Sequence, residues 1–154
     1  MSVTYTNIAW AIIEALETLI QAEFPSAKVF KNESIVRTDY PDAGTFEIKV
    51  ISDADDEIDA PYGHVKSIYT FNIWIHLRYL DKEEEQEKMT DLAEHLKALL
   101  HSWTNVQKTD LWYNSRWISV EYGIRDISIE NRKPSYLRSA LTTWECQVSE
   151  TRED

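Results

Sequence analysis

The sequence predicts an α+β protein, a mainly antiparallel sheet packed against two helices in the order helix, strands, helix, strands. Three observations carry that prediction. Apolar residues between Ile8 and Ile20, and again between Met89 and Trp103, recur at three- and four-residue spacing, the period of a helix with one buried face. Between Ser67 and Leu80 they alternate instead. Tyr69, Phe71, Ile73, Ile75, Leu77 and Tyr79 share one side, and Ile68, Thr70, Asn72, Trp74, His76 and Arg78 the other, as in a long central strand. Finally, the strands come in runs and not one by one between helices, which favours tight antiparallel connections over βαβ crossovers. With 154 residues, 43% of them hydrophobic and 28% charged, the chain 1–154 is read as one folded domain with one core.

In chain order, Thr6 or Asn7 caps a helix that carries Ile8, Ile12, Leu16, Leu19 and Ile20 on one side and Glu14, Glu17 and Gln21 on the other. Pro25 ends it. Lys28–Phe30 and Ile35–Thr38 read as short strands, and Gly44 opens a third in which Phe46, Ile48 and Val50 alternate with Glu47 and Lys49, so that one face is buried. Ser52 to Val65 contains five acids, Pro61 and Gly63, and reads as a long loop of the kind that carries function. After the central strand, Asp81 and Glu84 form a capping-box-like start for the second helix, with Glu83, Glu85 and Glu87 also near the positive end of its dipole. Leu111–Tyr122, Ile124–Ile129 and Tyr136–Val148 read as the last strands, with breaks at Gly123 and at Asn131–Pro134.

Sixteen basic residues against 27 acidic ones give a net charge of -11, a field that repels phosphate backbones. Nucleic-acid binding by charge is therefore not predicted. No apolar stretch approaches the roughly 20 residues of a membrane span, and the N-terminus lacks the basic and apolar regions of a secretion signal. A single cysteine, Cys146, fits a reducing cytoplasm.

The residues that could carry chemistry lack the contexts that chemistry needs. Three glycines, Gly44, Gly63 and Gly123, cannot build a phosphate cradle or a dinucleotide fingerprint. No serine sits in a Gly-x-Ser-x-Gly elbow, and Cys146 falls in an alternating strand where a buried thiol is the ordinary case. Asp53, Asp55 and Glu57 resemble the opening of a calcium loop, but Ile58 stands where the turn glycine belongs and His64 where the bidentate glutamate belongs. His95 and His101 lie six apart on different helix faces, away from any cysteine. The sequence predicts no enzyme, no catalytic residue, no cofactor and no metal.

What it offers is aromatic. Six tryptophans and eight tyrosines include Trp74 beside His76 and Arg78, and Trp112 beside Asn114 and Arg116, on strand faces opposite the predicted core. Trp, Tyr and Arg are enriched at protein interfaces, so Trp74, His76, Arg78, Trp112 and Arg116 are the candidate interface residues. Either those faces are open for a partner, or the two helices cover the sheet on both sides.

The order of elements resembles the tail terminator, or tail-completion, proteins of long-tailed bacteriophages. The likeness rests on Ile8-Ala9-Trp10-Ala11-Ile12-Ile13 followed by Phe24-Pro25, on the strand-to-helix run Tyr69 to Trp103, and on Tyr136-Leu137-Arg138-Ser139-Ala140-Leu141 leading to Trp144. It covers nearly the whole chain as an order of elements. It implies a virion protein of the tail or neck, assembled in the host cytoplasm, that forms a homo-oligomeric ring, typically a hexamer. Such a ring caps the tail tube, ends its growth and joins the tail to the head connector; its partners are itself, the tube protein and the neck proteins. DNA passes through without specific binding, and no membrane is involved. On that reading the acidic segment, Asp53, Asp55, Asp56, Glu57 and Asp59, faces the lumen or the tube beneath. Alternatives are another neck component such as a head-completion protein, an acidic monomeric immunity or inhibitor protein, and a small-ligand enzyme or binder.

Overall fold

The computed structural model describes residues 2, 5–30, 46–59, 64–79, 86–102, 111–126 and 136–151. Their order is α1 (Ile8–Glu23), β1 (Lys28–Phe30), β2 (Phe46–Asp59), β3 (His64–Tyr79), α2 (Gln86–His101), β4 (Tyr113–Asp126) and β5 (Tyr136–Thr151). This is the α+β order that the sequence predicts. The expected strand at Ile35–Thr38, the capping box at Asp81 and Glu84 and the break at Asn131–Pro134 lie outside the described residues.

α1 begins where a side-chain acceptor is available: Asn7 Oδ1 accepts from the Trp10 N–H at 3.1 Å. It ends with the Phe24 N–H donating to Ile20 O at 2.8 Å, while the Gln21 amide donates to the carbonyls of Phe24 and Ala27 at 3.2 and 2.9 Å. Ile12, Ile13, Leu16 and Ile20 form its buried stripe. In α2 the stripe is Met89, Leu92, Ala93, Leu96, Leu99 and Leu100.

The five strands lie in the order β1-β2-β3-β5-β4, with β1 parallel to β2 and every other pairing antiparallel. Both helices pack on the same sheet face. α1 covers β1 and β2, α2 covers β3, β4 and β5, and they meet where His95 Nε2 lies 2.7 Å from Glu23 Oε1 and the His95 ring lies 4.4 Å from Phe24. The odd-numbered residues of β3 from Val65 to Leu77 point into this core, beside Ile48, Val50, Ala140, Trp144 and Cys146. Trp144 is its centre, against Phe71 at 5.9 Å and edge-on to Trp112 at 5.4 Å. Trp117 anchors α2 to β4, with Lys97 Nζ 4.3 Å over its ring and His101 against it.

Three expectations need correction. The segment from Ser52 onward is not a loop: β2 continues to Asp59 and β3 starts at His64, in a hairpin held by ladder pairs out to Asp59 and Lys66. Carboxylates disfavour strands only weakly, and an edge that is solvated on both faces accepts them. Gly123 does not break the fifth sheet segment; β4 runs through it, its pairing with Ser139 unbroken. And Glu47 and Lys49, on the alternate face of β2 that sequence leaves to solvent, are 2% and 5% exposed, so the first part of this strand is buried on both faces.

Candidate interaction surface

The helices leave the other sheet face with a mixed polar and aromatic character, and its composition can be read in rows across the strands. One row aligns Glu47, His76, Ser139 and Gly123; the next Lys49, Trp74, Leu141 and Glu121; the next Ile51, Asn72, Thr143 and Ser119; the next Ala54, Thr70, Glu145 and Arg116. Trp74 and His76 stack nearly parallel, with ring centroids 5.5 Å apart and planes at 13°. His76 Nδ1 lies 2.6 Å from Ser139 Oγ, and the Thr143 hydroxyl donates to Asn72 Oδ1 at 3.5 Å. The alternation of β3 thus places Trp74, His76 and Arg78 together, all half-buried.

Arg116 shares that face, two rows from Trp74. Its guanidinium meets Glu145 Oε1 at 2.9 Å, with the Arg116 side chain 69% exposed. Trp112 does not share it. At 2% exposure it belongs to the core, against Trp144. The cause is local: between the pairs Tyr113–Gln147 and Arg116–Glu145, β4 spends three steps where β5 spends two, and Asn114 takes φ 47° in the left-handed region. That bulge reverses the phase of alternation, so Trp112 and Arg116, both even-numbered, face opposite sides. The Trp112–Arg116 patch predicted by sequence is therefore corrected to Arg116 alone.

The row Glu47, His76, Ser139 brings a carboxylate, an imidazole and a hydroxyl into register, a set that sequence order hides because the three come from β2, β3 and β5. Within it, His76 Nδ1 and Ser139 Oγ are in hydrogen-bond contact, and Glu47 is the cross-strand neighbour of His76. Nucleophilic serine chemistry needs backbone N–H groups aimed at a developing oxyanion. Ser139 sits in β5, which is paired on both sides, so the ladders with β3 and β4 consume the donors around it.

The acidic segment is the second feature. Asp53, Asp55, Asp56 and Glu57 lie on β2 and are exposed; Asp59 ends the same strand. Asp56 pairs with Ile68 on one face and Asp55 with Tyr69 on the other, so carboxylates occupy both faces of a backbone fixed by β3. At its base the Tyr69 hydroxyl donates to Glu150 Oε1 at 2.8 Å. Burial first, then that bond and the charges of Glu150 and Asp55, hold the Tyr69 hydroxyl protonated far above its ordinary range. Cys146 is inside the core, and burial, with a smaller push from Glu145, raises its thiol to about 12.

No group of three or more metal-ligating side chains occurs among the described residues, and none of the described helices is long and apolar enough to cross a membrane. No family model and no curated protein matches the chain. One solved structure aligns with 99% of this chain and 100% of its own at 15% identity and a TM-score of 0.49. A likeness of that degree carries no functional weight.

Proposed function

We propose that this chain is a structural assembly protein of the tail-terminator kind. Identical copies close into a ring, hexameric as the resemblance implies, that caps a phage tail tube, ends its growth and offers the head connector a docking surface. The observation that carries the reading is the acidic arm: four exposed carboxylates held at fixed positions on a paired strand. Repeated around a ring, such arms line an opening with fixed negative charge, and DNA passes because like charges give no counterion-release affinity. Trp74, His76, Arg78 and Arg116, on one sheet face, are residue types that interfaces favour, and a closed ring needs two such surfaces in head-to-tail contact. On this reading the protein is a virion component with no catalytic role.

The test uses tubes polymerised from the tube protein of the same particle. Addition of this protein is expected to stop elongation and leave a capped end visible in negative stain. Unaltered tube growth, with no density at the tube ends, contradicts the reading.

A further inference from the structure

The sheet has two unlike edges, and the charge on them is unevenly placed. β1 pairs with β2 only at Glu47–Lys49, so from Val50 onward the outer side of β2 carries no strand among the described residues, and Ser52 to Ile58 are all exposed. That half holds five acids, Asp53, Asp55, Asp56, Glu57 and Asp59, and no base. β4 forms the opposite edge. Its first half, Tyr113 to Val120, contains no acid and one base, Arg116, whose side chain is 69% exposed; its acids, Glu121 and Asp126, come later. The ladders put these two halves at the same height. Ile51 shares a row with Ser119, Ala54 with Arg116 and Asp56 with Tyr113, whereas Glu121 shares a row with Lys49, where β1 occupies the outer side of β2.

On the ring reading, we propose that the acidic half of β2 in one copy lies antiparallel against the first half of β4 in the next, and that this is the head-to-tail contact that closes the ring. Direction favours a second copy as the occupant. β2 and β5 run one way and β3 and β4 the other, so a neighbour in the same orientation continues the sheet with an antiparallel pair. Charge favours it too: pairing two β2 edges sets five acids against five, whereas the first half of β4 brings no acid and supplies Arg116. With no shift along the strands, Arg116 comes level with Ala54 of the neighbour on the sheet face away from the helices. Asp56 then lies on the diagonal, within the roughly 7–8 Å that long side chains bridge. The Arg116 guanidinium holds Glu145 through Nη2 and has further N–H groups for Asp56. β1 limits the contact, since β4 has to part from its neighbour after Ser119, and its irregularity at 117–119, the kind of place where a strand bends, falls at that point. An edge contact leaves side chains projecting from both faces, so the acids of β2 still reach the opening of the ring.

Charge reversal on each edge tests the contact. Arg116→Asp and Asp56→Arg, both at exposed side chains, each set like charge against like, so each alone is expected to need at least about tenfold more protein than the wild type to form rings, with an unchanged circular dichroism spectrum. An equimolar mixture of the two, one of them isotopically labelled, is expected to recover rings at the wild-type concentration. Native mass spectrometry should then find equal numbers of each variant in every ring, because only alternation joins opposite charges at all the contacts. Recovery on mixing also excludes misfolding as the cause of the single losses. Rings formed by either variant alone at the wild-type concentration, or a mixture that fails to recover them or combines the variants at random, overturns the proposal, while wild-type rings in the same run leave the ring reading standing. A wild type that forms no ring contradicts that reading and takes this contact with it.

Discussion

Thr142 is fully buried, and its hydroxyl has no hydrogen-bond partner among the described residues. A desolvated hydroxyl without a partner costs free energy that an apolar replacement of the same shape recovers. Thr142→Val is therefore expected to stabilise the protein by about 1 kcal/mol, read by urea denaturation. Trp144, wholly buried against Phe71 and Trp112, has the opposite role, and Trp144→Ala is expected to cost about 3–5 kcal/mol in the same assay. Cys146 supplies a pH test. Its thiol is raised from 9.0 to about 12 on folding, so its contribution is complete below pH 9 and is lost as pH climbs through 12. Stability measured from pH 8 upward should fall, and Cys146→Ala should reduce that slope; a native thiol that reacts readily with alkylating reagent at pH 8 would contradict its placement. At this scale the sequence reveals burial along β3 and on the Ile48–Val50 face of β2, but not on the other face of β2 or at Trp112. Ile73 and Ile75 announce the core by alternation alone, whereas Trp112 is turned inward by a bulge at Asn114, a residue type that tolerates the left-handed region but does not by itself announce a bulge, and Glu47 reads as a solvent residue although it is 2% exposed.

Between residue and fold, the elements show which local signals survive packing. Both helices are legible because a stripe at three- and four-residue spacing spans 16 residues in each. Asn7 is the cap that fixes the start of α1, and Asn7→Ala is expected to lower stability by about 0.5–2 kcal/mol. That the two helices share one sheet face is not legible, since amphipathic stripes say that a helix is covered and not by which side of the sheet. The stretch from Ser52 to Glu57 is misread as a loop because acids and the nearby Pro61 and Gly63 dominate the local pattern, while its pairing partner, Ser67 to Phe71, is distant information. The ladder makes a direct prediction. Amides of β2 that bond to β3 in this segment exchange slowly with deuterium, at rates nearer the sheet than a loop. Exchange as fast as in a short unstructured peptide would remove the fixed acidic arm on which the functional proposal stands.

For the whole molecule, a single sheet with both helices on one side leaves two resources outside the core: a polar-aromatic second face and an arm of fixed negative charge. The charge has a consequence that can be isolated from assembly. Neutralising Asp53, Asp55, Asp56 and Glu57 to Asn and Gln removes four of the 27 acids, leaves the fold unchanged because all four are exposed, and is expected to increase retention of DNA by assembled particles at low salt. Arg116→Ala is expected to change monomer stability by less than about 1 kcal/mol, because an ion pair this exposed is screened, while weakening assembly. The central claim is self-association into a closed ring. It is tested most directly by native mass spectrometry of the purified protein over a wide concentration range, with negative-stain images of the same samples, alone and with tail tubes. The account predicts one dominant closed species, a hexamer, with ring-shaped particles of matching size. A protein that stays monomeric at every concentration and on the tubes as well would contradict it.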